Sequence, residues 1–279
     1  LIFLLNLELV NCENALEKQI QIDKNFIQLS QALTKIFSSF YSSQGSNFNI
    51  INAVSDSNKT LFGDFMNNVL CNFESFNLSA QIEKFEMGLA IQDRKRFSVI
   101  IVIYSLEAFK KFYKKLTTEK FKMRRFYTIV SLMKLEMFEV EIIFELMWKN
   151  YVRKVNLMMM TCDSENVDLF TFTPFTEKIC GDTRPIKINS FDYKWRNDNF
   201  YLINIDDFHK CPLVIGCAVG TAEPLLMMKK NSDGLEEIAG IEKDIFDEIL
   251  EFLNFKPKFE IHGSFSGKLL ENGTATGKI

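Results

Sequence analysis

With 279 residues, 47% of them hydrophobic and 28 of them phenylalanine, the chain can build one large core or two moderate ones, and its composition is not that of a disordered polymer. A net charge of −3 argues against nucleic acid or an anionic membrane surface as a partner. Two histidines, His209 and His262, are too few for a His-based metal site or a His-dependent catalytic apparatus.

Leu1 to Val10 is an almost wholly apolar start, with Val10 and Cys12 placed as a small-residue cleavage site. Residues 1–12 are therefore expected to be part of a secretory signal. With no initiator Met, and an end at Thr274–Ile279 that completes neither helix nor sheet, the chain reads as a fragment. Ile22, Phe26, Leu29, Leu33, Ile36 and Phe40 recur at alternating steps of four and three, which predicts a long helix. Phe48–Val54 and Phe97–Ile103 read as strands. The apolar run from Phe97 to Leu106 is about half the ~20 residues a membrane span needs, and fits a strand buried on both faces.

Leu106, Phe109, Tyr113 and Leu116 mark a second helix, and Phe138, Ile142 and Leu146 a third. Between and after them, Phe126–Met133, Val155–Met160 and Val167–Phe172 are strand-like. Alternating strands and helices imply a parallel sheet with right-handed crossovers, so residues 13–172 are expected to form an α/β amino-terminal domain. Over 173–210 the pattern breaks into turn-rich sequence that still holds Phe191, Tyr193, Trp195, Phe200, Tyr201 and Phe208. So many aromatics need a surface to bury against, and an ordered inter-domain connection is expected.

A second module occupies 211–279. Leu213–Val219 is a short apolar strand. Gly240 precedes a helix with Ile241, Ile245, Ile249 and Phe252 or Leu253 on one face and five carboxylates largely on the other. The early carboxylates suit the positive end of the helix dipole. Asn254 is placed to close the helix, and Lys256–Ile261 is the next strand. Periodicity alone gives a βαβ unit of any α/β protein.

The enzyme signatures fail on inspection. Gly263–Gly267 has Phe265 where a nucleophile elbow needs serine. Gly273–Lys278 is one residue short of a phosphate-binding loop, and Ile279 stands where Ser or Thr is required. Asp206 and Asp207 are neighbours in a turn, which suits solvation better than a shared catalytic cleft. The basic run Lys110–Arg125 is interleaved with Phe109, Phe112, Tyr113 and Leu116 at helical spacing, as in a solvated helix face. No catalytic residue, metal or cofactor is expected.

Of the six cysteines, Cys12 belongs to the signal reading and Cys217 sits among apolar neighbours as an inert thiol. Cys71, Cys162, Cys180 and Cys211 remain, with three possible pairings and no zinc-type spacing. Cys180 and Cys211 flank the connection, each beside a Pro- or Gly-marked turn, and are expected to pair, leaving Cys71 with Cys162. Glycosylation sequons begin at Asn58, Asn77 and Asn272.

Linear detail in the second module goes further. Pro224 through Lys230 reads Pro-Leu-Leu-Met-Met-Lys-Lys. Gly240 and Asp244 open the helix, Asn254-Phe255 precedes a Lys-rich strand, and Asn272-Gly273 is followed by Gly277. Upstream stand His209–Leu213, and Thr171–Phe175 before Cys180. Over about residues 167–279 this order resembles the ionotropic glutamate receptors, and more closely their divergent invertebrate branch, the variant ionotropic receptors used as chemoreceptors. The resemblance implies that 211–279 is the start of a periplasmic-binding-protein-like ligand-binding lobe. It further implies the extracellular portion of a ligand-gated cation channel, anchored in the cell membrane by segments outside this sequence. The implied partners are a small-molecule ligand and co-receptor subunits of a tetrameric channel. Thr221, Ala222, Glu223, Pro224, Ser266 and Gly267 fall at the implied ligand cleft. Glutamate-binding members carry an acid where this chain has Ala222, and an aromatic cover near Ser266 and Gly267. The alternative is a secreted or surface solute-binding protein with the same fold and no pore.

Expressed in insect cells behind a complete signal, the protein is expected to carry glycans at Asn58 or Asn77. A mobility change on glycosidase treatment checks this, and an unchanged mobility with cytosolic localisation counts against it.

Overall fold

A computed structural model describes residues 24–41, 47–54, 59–74, 79–84, 98–116, 126–161, 164–198, 200–201, 207–218, 225–230, 232–234, 236–262, 268–269 and 275–276. The chain divides into two units, one of residues 1–174 with 183–203 and the other of 175–182 with 204–279.

The first unit is built on a strand that is apolar on both faces. Strand β3 (Ser98–Ile103) has Val99 through Ile103 at most 1% exposed. It lies between β1 (Asn47–Asn52) and β4 (Phe126–Ser131), parallel to both. Strand β2 (Ser79–Lys84) adds beside β1, and β5 (Val155–Thr161) beside β4, each parallel to its neighbour. Helix α1 (residues 24–36, continued by a wider π turn, Phe37–Tyr41) and helix α2 (Lys59–Glu74) share the core cluster that takes Ile100 and Val102 from β3. Helices α3 (Leu106–Leu116) and α4 (Met137–Lys149) share the opposite cluster, which takes Val99, Ile101 and Ile103. One strand thus feeds two cores through the alternation of its side chains.

The helices form where side-chain pattern and end chemistry agree. Phe26, Leu29, Leu33 and Ile36 of α1 are all buried, as their spacing requires, while the Phe40 side chain and Ile22 lie outside the described residues. Helix α3 is capped by Ser105, whose Oγ accepts from the Ala108 amide at 3.2 Å. Helix α4 starts with the Glu136 amide donating to the Glu139 carboxylate at 2.9 Å.

Within the parallel part of this sheet, two elements were not expected from the sequence. Helix α2 buries Phe65, Met66 and Val69, and Leu61, Phe62 and Leu70 pack half-buried beside them. Strand β2, Ser-Ala-Gln-Ile-Glu-Lys, is an edge strand whose sequence lacks a sustained apolar face.

The sheet also extends beyond the expected parallel set and past residue 172. Strand β6 (Ser164–Thr171) runs antiparallel to β5, because the two residues between them are too few for a crossover helix. Strands β7 (Ile186–Asp192) and β8 (Lys194–Trp195) follow antiparallel, giving eight strands in the order β2-β1-β3-β4-β5-β6-β7-β8 among the described residues. The aromatics of the irregular segment do find a surface. Phe191, Phe200 and Tyr201 are buried with α1, and the Trp195 indole donates to the Ala32 carbonyl at 3.1 Å. Tyr193 differs, at 71% exposed.

Cys71 is a free, exposed cysteine on α2, which corrects the expected pairing with Cys162. It stands off the stripe of Phe65, Met66 and Val69 and so faces solvent. Cys162 lies outside the described residues.

In the second unit, β9 (Pro212–Ala218) pairs parallel with β12 (Lys256–His262) in continuous register from Pro212–Lys256 to Ala218–His262. Between them lie a hairpin of β10 (Met227–Lys230) and β11 (Glu236–Ala239), then helix α5 (Ile241–Leu253). Gly240 enters α5 at φ 119°, a backbone conformation that L side chains strain to adopt. Two two-residue strands, β13 (Lys268–Leu269) and β14 (Ala275–Thr276), pair antiparallel. The Ile241, Ile245, Ile249 and Phe252 stripe is exposed, with Phe252 at 77%. Lys243, Phe246, Leu250 and Leu253 are the partly buried positions, and Lys243 Nζ lies 5.9 Å from the Phe259 ring of β12.

Ile101→Ala is expected to destabilise the first unit by about 2–5 kcal/mol, since it opens a cavity where the structure has no slack. Phe252→Ser should change stability by less than about 0.5 kcal/mol. Denaturant unfolding of the two variants checks both, and equal losses would contradict the assigned burial.

Candidate functional site

In the second unit the carboxyl ends of β9 and β12 lie side by side, with Ala218 opposite His262. Open α/β sheets bind ligands at the carboxyl ends of their strands. The candidate residues Thr221, Ala222, Glu223 and Pro224 follow β9, and Ser266 and Gly267 follow β12. Both groups are thus joined to one sheet edge through adjacent strand ends, but all six lie outside the described residues. The sequons at Asn58, Asn77 and Asn272 lie outside them too.

The opposite end of this sheet is clamped. Cys180 and Cys211 form a disulfide with Cα atoms 5.6 Å apart. Closing a loop of this size is worth about 3–4 kcal/mol in the chain-entropy account. Cys180 is presented by a small turned segment, in which Phe175 bridges to Cys180 and the Thr176 hydroxyl donates to the Ile179 carbonyl at 3.0 Å. Phe208 packs on Phe175 at 4.3 Å and on Phe255 at 6.0 Å between ring centroids. The base of β9 is stitched to the α5–β12 junction by three backbone bonds. The Phe208 amide donates to Leu253 O at 2.8 Å, the Lys210 amide to Asn254 O at 2.7 Å, and the Lys256 amide to Cys211 O at 3.0 Å.

Asp207 organises the turn that makes this possible. Its carboxylate accepts from the His209 amide at 2.6 Å and from the Asn254 side chain at 2.8 Å. These bonds, the His209 amide first, together with the charges of His209 and Lys210, hold its pKa below the ordinary carboxylate value. His209 and Lys210 both have positive φ, and so does Asn254 at the end of α5. Such backbone persists where surrounding bonds over-determine it. The role of Asp207 is thus structural. Its neighbour Asp206 lies outside the described residues.

Cys217, near the carboxyl end of β9, is buried, and burial, with Glu242 beside it, pushes its thiol pKa up, as befits an inert side chain. The amino end of α5 carries Glu242 and Asp244 in its first turn, so its dipole is already met by the protein's own carboxylates. The Glu242 amide donates to Leu225 O at 3.0 Å. Among the described residues no group of His, Cys, Asp and Glu is placed to hold a metal ion. No helix among them is long and apolar enough to cross a membrane.

Residues 19–205 match the protein family described as "Putative ionotropic receptor, ligand binding domain". The match takes in more than half of the chain, and the chain belongs to this family. No curated protein matches it. The matched span holds the eight-stranded sheet and its helices, whereas the motif-level likeness was carried by residues 167–279.

The Asp207 bonds give a pH dependence with a definite sign. A carboxylate whose folded pKa lies below its unfolded value stabilises fully above the unfolded value, and its contribution is lost as pH falls through the folded one. At neutral pH, Asp207→Ala is expected to speed hydrogen exchange at the Phe208, Lys210 and Lys256 amides. Below the ordinary carboxylate value of 3.8 the gap between variant and parent should close. A gap that does not change with pH would contradict the assignment.

Proposed function

We propose that this member of the ionotropic receptor ligand-binding domain family is the extracellular portion of a ligand-gated cation channel with a chemosensory role. A small molecule closes two lobes around itself, and closure pulls on a pore formed by segments outside this sequence. The ligand must bind the closed arrangement more tightly than the open one, because only that difference can drive the change. The family match over residues 19–205 carries the reading. It is supported by the Cys180–Cys211 disulfide, which fits an oxidising, extracellular compartment. The β9-α5-β12 unit, which follows the order expected of the first segment of a ligand-binding lobe, supports it as well.

Within this reading, the segment 221–224 and residues Ser266 and Gly267 line the cleft of the second module. Ala222 offers no carboxylate to an amino group. A ligand ammonium facing it lacks a charge-assisted hydrogen bond of about 1.5–3 kcal/mol, roughly tenfold or more in affinity. The ligand is then an acid, amine or tastant other than glutamate or glycine.

Recording from cells that express the full-length protein with a co-receptor tests the proposal. The expected outcome is a cation current to some small polar molecule and none to glutamate or glycine at concentrations that open their own receptors. A glutamate current lost on mutating Thr221 to Pro224 would refute the ligand assignment. Ligand binding with no current under any condition would favour a solute-binding protein without a pore.

A further inference from the structure

Helix α5 turns an unbroken apolar stripe to the solvent. Ile241, Ile245, Ile249 and Phe252 stand at steps of four, four and three and so share one face, with exposures from 41% at Ile249 to 77% at Phe252. The half-buried row of the same helix, Lys243, Phe246, Leu250 and Leu253, is the less apolar of the two, since it includes a lysine. The exposed stripe runs about 16 Å, or three turns. Single exposed apolar residues are ordinary, but a continuous row of this kind marks a surface that meets another body.

Charge decides what can cover it. Asp244, Glu248 and Glu251, at steps of four and three, form a second row along one edge of the stripe, and all three are exposed. None of these carboxylates is in an ion pair among the described residues. The one lysine of the helix, Lys243, is bonded to Asp247. Helix α5 thus carries five carboxylates against a single lysine that is already engaged. A second copy of this chain would bring the same surplus of negative charge to the contact and is repelled, and an anionic membrane surface is repelled for the same reason. A body that is apolar along its middle and positive along one flank satisfies both rows at once.

We propose that the exposed face of α5 is a docking surface for a basic amphipathic helix of another protein. Its apolar side chains pack on Ile241, Ile245, Ile249 and Phe252, and its lysines or arginines, spaced three and four apart on one flank, stand against Asp244, Glu248 and Glu251. Helix against helix is the geometry a straight stripe of this length accepts. A contact of three turns is smaller than a standard interface, so the complex is weak and reversible, with Kd in the micromolar range. The inference concerns a face of α5 and does not rest on reading the chain as part of a channel.

Fluorescence anisotropy of labelled helical peptides titrated with the chain tests it. One peptide carries leucines at alternating steps of three and four with lysines along one flank. A second has glutamates in place of the lysines, and a third has the composition of the first in scrambled order. The lysine peptide is expected to saturate, the glutamate peptide to bind roughly tenfold more weakly, and the scrambled one not to bind. Ile245→Ser with Phe252→Ser should weaken the lysine peptide tenfold or more and leave the thermal midpoint unchanged, since both side chains are exposed. Glu248→Lys with Glu251→Lys places bases toward the carboxyl end of the helix, where its dipole favours them, and should reverse the preference toward the glutamate peptide. Equal binding of the two peptides, or binding indifferent to Ile245→Ser with Phe252→Ser, would overturn the surface. Self-association of the chain, or capture by neutral lipid vesicles, that is lost in that variant would put a second copy or a membrane on the face instead. A full-length protein that does not bind the lysine peptide would overturn it too, because another part of the same protein then covers α5.

Discussion

Strand β3 is the constraint on which the first unit depends. Five consecutive residues, Val99 to Ile103, are buried on both faces, so this strand can occupy only the middle of a sheet covered on both sides. Its neighbours must then be paired strands, and both faces must receive helices. The chain meets this with β1 and β4 beside it, α1 and α2 over one face and α3 and α4 over the other. The point between β1 and β3, where the strand order reverses, follows from the same arrangement: the connection through α2 runs one way along the sheet and those through α3 and α4 run the other.

The second unit rests on a different principle. Among its described residues few are buried: Cys211, Cys217, Leu226 and Phe255 are the hydrophobic ones besides Phe175. What holds its base is local and covalent. The Cys180–Cys211 bond, the Phe175–Phe208–Phe255 aromatic contacts and the Asp207 turn converge on the start of β9 and the end of α5. An arrangement rigid at the amino ends of two parallel strands leaves their carboxyl ends as the place where loops can vary, which is where binding sites in such sheets are found.

The functional signal was legible in unequal parts. The order of Pro224, Gly240, Asp244 and Asn254 along the second module resembles ionotropic receptors at the level of individual residues, and the family match to 19–205 bears out the ionotropic receptor family through the other unit. The ligand residues named from that resemblance fall outside the described residues, so the structure adds only the strand ends that lead to them.

What the sequence by itself determined is the set of elements whose burial is periodic and strong. Helices α1, α3, α4 and α5 follow from a 3.6-residue period, and strands β1, β3, β4, β5, β9 and β12 from short apolar runs bounded by turns, continuous where both faces are buried as in β3 and β4. The partner of Cys180 was also readable, since two turn-marked cysteines bracket one segment and the structure bonds them. Tertiary structure decided the rest. Strand β2, largely polar in sequence, exists because β1 needs a neighbour, and helix α2 because β1 needs a cover. Strands β7 and β8 form because β6 offers an open edge, and Phe191 and Trp195 gain a surface only when that edge is used. Likewise the apolar stripe of Ile241, Ile245, Ile249 and Phe252 predicted a helix correctly but not which face the fold would cover. Periodicity reports that a face is apolar; what lies against it is set by contacts between residues distant in the chain.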